Sequence, residues 1–241
     1  MDIKTVRAAF AEELRFVAHV RSERVIEAFA TVPREQFLGD RPWQVADLVE
    51  GYWEVPGNDP GSAYHNVLFA IDPAPAIMAE LASPEGSVLA AEIDPDLAGR
   101  ARANLSHVAN VEVIATDGAS FDPGPADVVV VNAGATHPVP LWLDALVPGG
   151  RLLLPLTAKS GHGTVFRIER RPEDRSFSAT AISGVSIYPC AGARTPVAAQ
   201  KLARALGKGG QHFVRSLRLD PHRDGSTCWL HGDGYCFSIQ A

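Results

Sequence analysis

The sequence predicts an α/β fold: a doubly wound, mostly parallel sheet with N-terminal helices before it and a β-rich extension after it. Three observations carry this. Short apolar runs alternate with helical stretches over residues 67–156, the order of a parallel sheet with crossover helices. The run Asp127-Val128-Val129-Val130-Val131-Asn132 is too uniformly apolar for a strand with one wet face, so it reads as central and parallel. Beyond residue 160 the pattern changes to alternation, in Thr164–Ile168, Phe177–Ile182 and Val185–Ile187, the mark of antiparallel strands.

The elements follow in order. Val6, Phe10, Leu14, Phe16, Val17, Val20, Val25, Ile26 and Phe29 recur at about three-to-four spacing, so the first thirty or so residues read as helix. Val32-Pro33 ends that run, because proline disfavours helix in the residue before it. Val32–Leu38 is a compact helix or turn, and residues 39–64, rich in Gly, Pro and Asp, read as a long connection. Val67–Asp72 is a short apolar run, Ala76–Ala82 a helix, and Ser87–Asp94 a strand with acids at its end. Pro95 suits the first turn of a helix reaching Leu105. Val111–Ala115 and Arg151–Leu156 are further strands, Leu141–Leu146 a short helix, and Pro148-Gly149-Gly150 a turn. Thr195–Leu206 reads as helix and Cys228 onward as a strand or hairpin. Three divisions are expected: an N-terminal helical or lid region (1–64), an α/β core (65–160), and C-terminal strands and helix that complete the sheet or form a small subdomain (161–241).

The bulk numbers exclude several classes. The 241 residues suffice for one good core. A 46% apolar, 21% charged composition is that of a soluble globular protein, and no apolar run approaches the roughly 18 residues of a membrane span. The start, MDIKTVRAAFAEELRF, mixes acids with apolar residues, unlike a secretory leader, so a cytoplasmic protein is expected. A net charge of −6 gives no basis for nucleic-acid binding. Cys190, Cys228 and Cys236 are odd in number and widely spaced, as reduced thiols are. Cys228, His231 and Cys236, with His222 nearby, lack the tight repetition of a metal motif, and no metal is expected.

In a doubly wound sheet, ligands bind beyond the C-terminal strand ends. Three ends carry polar or small residues. Glu92 closes one strand, and a carboxylate there accepts two hydrogen bonds from a ribose diol. Asp117-Gly118 closes the next: the acid accepts from an exocyclic amine and the glycine admits a flat ring. Asn132-Ala133-Gly134 closes the third and opens toward whatever lies beside the ligand. The bland alternative is that these acids cap the turns and helices that follow. His137, a few residues past Asn132, is a candidate for orienting or deprotonating an acceptor, and equally a loop histidine. Trp43, Trp53 and Trp142 read as packing residues.

These residues also carry a likeness. Val32-Pro33-Arg34-Glu35-Gln36-Phe37 resembles the opening signature of the protein-L-isoaspartate O-methyltransferases. Val88 to Ala98 resembles that family's second strand, Ala101–Leu105 its next helix, Asn110–Val113 with Asp117-Gly118 its third strand and turn, and Pro148–Pro155 its closing turn and fifth strand. The resemblance covers about residues 30–160, in the family's order. Tyr64-His65-Asn66-Val67 and Asn132–Pro138 look more like a side branch. The resemblance implies a Rossmann-like methyltransferase sheet, S-adenosylmethionine as donor, and an oxygen acceptor such as a protein or peptide carboxylate. It implies Glu92, with Ile93 beside it, as the ribose ligand, Asp117-Gly118 as the adenine contact, and Asn132 next to the cofactor.

One departure is large. The family's first strand leads into a glycine-rich turn that brings backbone N–H groups to the cofactor's amino-acid end. Here the only glycine between Asp72 and Glu92 is Gly86, and the join falls near Ala74-Pro75-Ala76. About 30–40 residues, one βα unit, are missing relative to the family. Either Val67–Asp72 takes the vacant central position, with Asp72-Pro73-Ala74-Pro75 replacing the glycine turn, or this sequence lacks a segment that the natural protein has. The alternative to an active enzyme is a non-catalytic methyltransferase fold that binds a partner. A nicotinamide dehydrogenase is disfavoured, because no G-x-G-x-x-G turn precedes Glu92.

Overall fold

The computed structural model describes residues 2–38, 42–47, 51–55, 59–64, 68–69, 74–82 and 85–241. The chain forms two compact units, Met1–Thr116 and Asp117–Ala241.

In the first unit the N-terminal helical stretch is two helices, α1 (Ile3–Val17) and α2 (Glu23–Thr31), followed by the short α3 (Arg34–Phe37). The break between α1 and α2 falls at His19, held at a φ of 53°. Phe10, Ala11 and Leu14 of α1 are buried against Ile26 of α2 with Trp43 and Tyr64. The 39–64 stretch, expected as a connection, contains β1 (Gln44–Asp47), β2 (Gly51–Glu54) and a 3-10 turn at Pro60–Ala63. Gly, Pro and Asp hid these elements because the strands are only four residues long, too short to show a period.

β3 (Leu68–Phe69) is the described part of the Val67–Asp72 run. It pairs antiparallel with β1, Val45 opposite Phe69 and Ala46 opposite Leu68, so those two residues do not occupy a central parallel position. Val67 and Ile71-Asp72-Pro73 lie outside the described residues, as do His65 and Asn66 of the side-branch motif. α4 (Ala74–Ala82), β4 (Val88–Glu92), α5 (Pro95–Leu105) and β5 (Val111–Ala115) complete the unit. β4 and β5 pair in parallel, Val88 opposite Val111 through Glu92 opposite Ala115. α5 starts where expected: Pro95 takes its first position and the Asp94 carboxylate accepts from Asp96 N (2.9 Å) and Leu97 N (3.1 Å).

The second unit holds β6 (Ala126–Val130), α6 (Pro140–Ala145), β7 (Leu146–Thr157), β8 (His162–Arg170), β9 (Phe177–Ser186), α7 (Pro196–Lys208), β10 (Ser216–Arg218), β11 (Cys228–His231) and β12 (Cys236–Ser238). They form one seven-stranded sheet, in the order β11-β12-β10-β9-β8-β7-β6. β6 and β7 pair in parallel, and every pairing from β7 to β11 is antiparallel, which is the β-rich extension. The segments Phe177–Ile182 and Val185-Ser186 belong to one strand, β9, which ends before Ile187; a register shift opposite Val165 and Phe166 interrupts its alternation and makes it read as two. Leu152, Leu154, Leu156, Phe166 and Ile168 fill the core of this unit, with Leu202 and Ala205 of α7 packed on them.

One expectation fails in an instructive way. Among the described residues β6, read as central, stands at the end of its sheet. Val128 is 49% and Val130 39% exposed. Among the described residues β4 likewise pairs only with β5, and its Leu89 is 40% exposed. Both strands are apolar enough to be flanked on each side.

Candidate functional site

The strand-end residues are built by their own turns. Glu92 is half-buried at the end of β4, and its Oε1 accepts from Asp94 N at 2.9 Å. That bond holds the carboxylate at the strand tip and leaves acceptor capacity for a hydroxyl pair. Ile93, next in line, is 51% exposed, an apolar surface beside the acid. The β5 end is fixed to β4 by Thr116 N donating to Glu92 O at 2.8 Å.

The Asp117-Gly118 turn opens the second unit. Asp117 Oδ1 accepts from Ala119 N at 2.9 Å, and Gly118 O accepts from Trp142 Nε1 at 2.7 Å. Trp142 is buried in the core, as expected of a packing residue, and in addition pins this turn to α6. Gly192 lies against the Asp117 carboxylate so closely that a Cβ there would come within 2.2 Å of Oδ1. Burial, and then the Asp117 charge, push the Cys190 thiol up from its ordinary value.

The stretch after β6 is a buried bridge. Asn132 is exposed, whereas Gly134, Ala135 and Thr136 are buried. Gly134 N donates to Tyr188 O (2.7 Å), Ala135 N to Pro155 O (2.9 Å) and Thr136 N to Ala193 O (3.0 Å). A Cβ at Gly134 would fall 2.1 Å from Thr157 Oγ1, so this glycine is required by packing against β7. Arg194 ties the bridge together: it donates to Gly134 O (2.5 Å), Thr157 Oγ1 (2.9 Å), Thr157 O (3.1 Å) and Ala158 O (3.1 Å). The sequence reading missed Arg194. Its only signal is its place two residues before the proline that starts α7.

His137 follows this bridge. Its Nδ1 lies 3.2 Å from Thr136 Oγ1, which also accepts from Thr195 N at 3.2 Å. Its ring stacks on Tyr235, centroids 6.5 Å apart and planes 26° from parallel. Burial pushes the His137 pKa down from 6.5, so the ring is neutral near pH 7. The same effect pushes the Tyr235 hydroxyl up to about 12.

The opening signature has a structural role. Arg7 donates to Tyr64 Oη (2.9 Å), Thr31 O (3.0 Å) and Glu35 Oε1 (3.0 Å), and the Tyr64 hydroxyl donates to Glu35 Oε2. Arg34 N donates to Tyr64 Oη at 3.0 Å. Arg34-Glu35 thus locks α1, α3 and the 3-10 turn into one knot.

The residues fit the two ends of an adenosylmethionine cofactor unequally. Glu92 in the first unit, and separately the Asp117-Gly118 turn in the second, each offer acceptors of the kind a nucleoside needs. Around the start of α4, Pro73 and Pro75 have no backbone N–H to offer, and there is no glycine between Asp72 and Gly86.

The sequence model of the family described as protein-L-isoaspartate(D-aspartate) O-methyltransferase matches residues 73–194. Among proteins named protein-L-isoaspartate O-methyltransferase, that of Methanopyrus kandleri is 29% identical over 78% of this chain and 92% of its own length. That of Pyrococcus horikoshii is 31% identical over 75% of this chain and 90% of its own. A solved protein-L-isoaspartate O-methyltransferase superposes with a TM-score of 0.59 at 18% identity, over 83% of this chain and 69% of that one. A Plasmodium falciparum structure of the same description, in complex with S-adenosyl-L-homocysteine, superposes with a TM-score of 0.53 at 12% identity, over 77% of this chain and 98% of that one. With half the chain matched by the family's own model and full-length relatives about 30% identical, the chain belongs to the protein-L-isoaspartate O-methyltransferase family of S-adenosylmethionine-dependent methyltransferases.

Proposed function

We propose that this chain transfers a methyl group from S-adenosylmethionine to a carboxylate on a protein or peptide, in the cytoplasm and without nucleic acid. Glu92 is our ribose ligand, Ile93 its apolar neighbour, Asp117-Gly118 the adenine contact, and Asn132 the side chain next to the cofactor. The observation that carries the reading is the strand-end placement of Glu92, held by the Asp94 N–H with acceptor capacity to spare. The bound cofactor would supply an electrophilic methyl group. An ionised carboxylate acceptor needs no general base, so the protein's part is placement and exclusion of water. His137, neutral and half-buried beside Thr136 and Tyr235, is the group we assign to orienting the acceptor. The chain's divisions in this reading are an N-terminal helical or lid region (1–64), an α/β core (65–160) and C-terminal strands and helix that complete the sheet or form a small subdomain (161–241).

The test is methyl transfer from labelled S-adenosylmethionine to peptides carrying isoaspartate, aspartate or neither. Transfer to a carboxylate peptide that disappears in Glu92→Ala supports the reading. No transfer to any carboxylate at saturating donor overturns it. Removing His137 as His137→Phe should slow transfer by roughly tenfold, the scale of one orienting hydrogen bond.

A further inference from the structure

We propose that His222, Cys228, His231 and Cys236 bind one zinc ion in a closed structural site at the edge of the C-terminal sheet. Linear spacing argues against a metal here, and one feature of the fold reverses that argument. Successive side chains on a strand point to opposite faces, so Cys228 and His231, three apart, would diverge on a regular β11. β11 is not regular. Its register against β12 shifts between Cys228 and Leu230: Cys228 faces Ser238, Leu230 faces Phe237 and His231 faces Cys236. Cys236 and Ser238, two apart, share a face of β12. The extra residue therefore turns Cys228 onto the face of His231 and Cys236, leaving Leu230 and Phe237 for the core. His222 arrives from the segment between β10 and β11.

The four donor atoms all lie within 4.8 Å of one another. Cys228 Sγ is 3.6 Å from His222 Nε2 and 3.9 Å from His231 Nδ1. Zinc with its usual bond lengths sets tetrahedral ligand atoms about 3.3–3.8 Å apart, so small side-chain adjustments close the site. A supporting shell is present. Asp220 O lies 2.8 Å from His222 Nδ1; a proton on Nδ1 satisfies that carbonyl and leaves the Nε2 lone pair directed at the cluster. The Asp220 carboxylate is gripped by Arg218 through bonds of 2.9 and 2.6 Å and lies 3.5 Å from the same Nδ1. Arg218 faces Cys236 across the β10–β12 pair, a positive charge beside the thiols.

Two thiols and two imidazoles select zinc over hard, oxygen-seeking cations. Four protein ligands fill the tetrahedron, which makes the site structural. On binding, each thiol loses its proton to solvent and the sulfur donates its electron pair to the ion, with no redox change. The ion would clamp the β11–β12 hairpin and the strandless segment before it. The same hairpin carries Tyr235 onto His137, so the clamp would also steady the ring we assign to the acceptor.

The experiment is elemental analysis of the purified full chain, with cobalt(II) replacement as a second readout. One zinc per chain that survives gel filtration, and intense tetrahedral cobalt–thiolate absorption on the wild-type chain, are expected. Cys228→Ser and His222→Ala should each lose the metal, and Cys190→Ser should keep it. Substoichiometric zinc in wild-type protein incubated with Zn²⁺ overturns the proposal. So does metal retained in both ligand variants, or a Cys228–Cys236 disulfide in thiol-trapped protein. The cobalt spectrum is read on the wild-type chain, so a ligand variant that fails to fold leaves the test decisive.

Discussion

The two parallel strand pairs, β4–β5 and β6–β7, came from the same kind of sequence and reached different fates. β7 has partners on both sides, and its Leu152, Leu154 and Leu156 are wholly buried. β4 and β6 each have one partner among the described residues and show Leu89, Val128 and Val130 to solvent. An apolar run states what a strand requires on its two faces, and the rest of the chain decides whether that is delivered. The difference can be broken most forcefully in the buried half. Phe166→Ala, beneath Trp229 and Phe237, should cost about 3–5 kcal/mol in chemical denaturation. Val128→Ala should change stability by less than about 0.5 kcal/mol, because half of that side chain is already wet. Equal losses at the two sites would erase the contrast.

The second expectation concerns the missing glycine turn. Inserting a glycine-rich βα unit between Asp72 and Ala76 should give the cofactor's amino-acid end a backbone cradle. S-adenosylhomocysteine affinity by calorimetry should rise about tenfold or more, which is ~1.4 kcal/mol, from a weak starting value. The unaltered chain should bind adenosine and S-adenosylhomocysteine almost equally. Tight, stoichiometric S-adenosylhomocysteine binding by the unaltered chain would show that the Pro73-Ala74-Pro75 stretch does the work of the glycine turn.

These contrasts explain how far the sequence could be read. Glu92, Asp117-Gly118 and the helix that Pro95 opens were legible because each is set by local chemistry: a strand end, a turn, a cap. The Arg34-Glu35 signature was recognised by likeness, but its partners Arg7 and Tyr64 lie 27 to 30 residues away and no local pattern links them. Arg194 escaped for the same reason, since its contacts run from one loop to the end of β7. Convergence of His222 with Cys228, His231 and Cys236 was hidden by a one-residue bulge, which changes facing without changing composition.

The Arg7–Tyr64–Glu35 knot gives a middle-sized test, on the first unit alone. Arg7 and Glu35 expose only 12% and 14% of their side chains. Tyr64→Phe removes a hydroxyl that accepts from Arg7 and donates to Glu35, leaving both ions less well satisfied. A loss of about 1–3 kcal/mol is expected in urea denaturation. Burial, first, and Glu35 push the Tyr64 hydroxyl up to about 12, so its ultraviolet titration should come late, and a midpoint near 10 would mean the knot is open in solution.

The smallest effect is a pH dependence confined to the second unit. Burial lowers the His137 pKa in the folded chain below the 6.5 of the unfolded one. The unfolded chain therefore binds more protons between those two values. Stability is fully present above about pH 6.5 and falls as the pH drops toward the folded pKa. His137→Phe keeps a ring against Tyr235 and removes the titration. The difference in melting temperature between wild type and this variant should be constant above pH 7 and should shift against the wild type below pH 6. A wild type that gained on the variant as the pH fell would mean that His137 is stabilised as a cation, and the burial argument for a neutral ring at the acceptor side would fail with it.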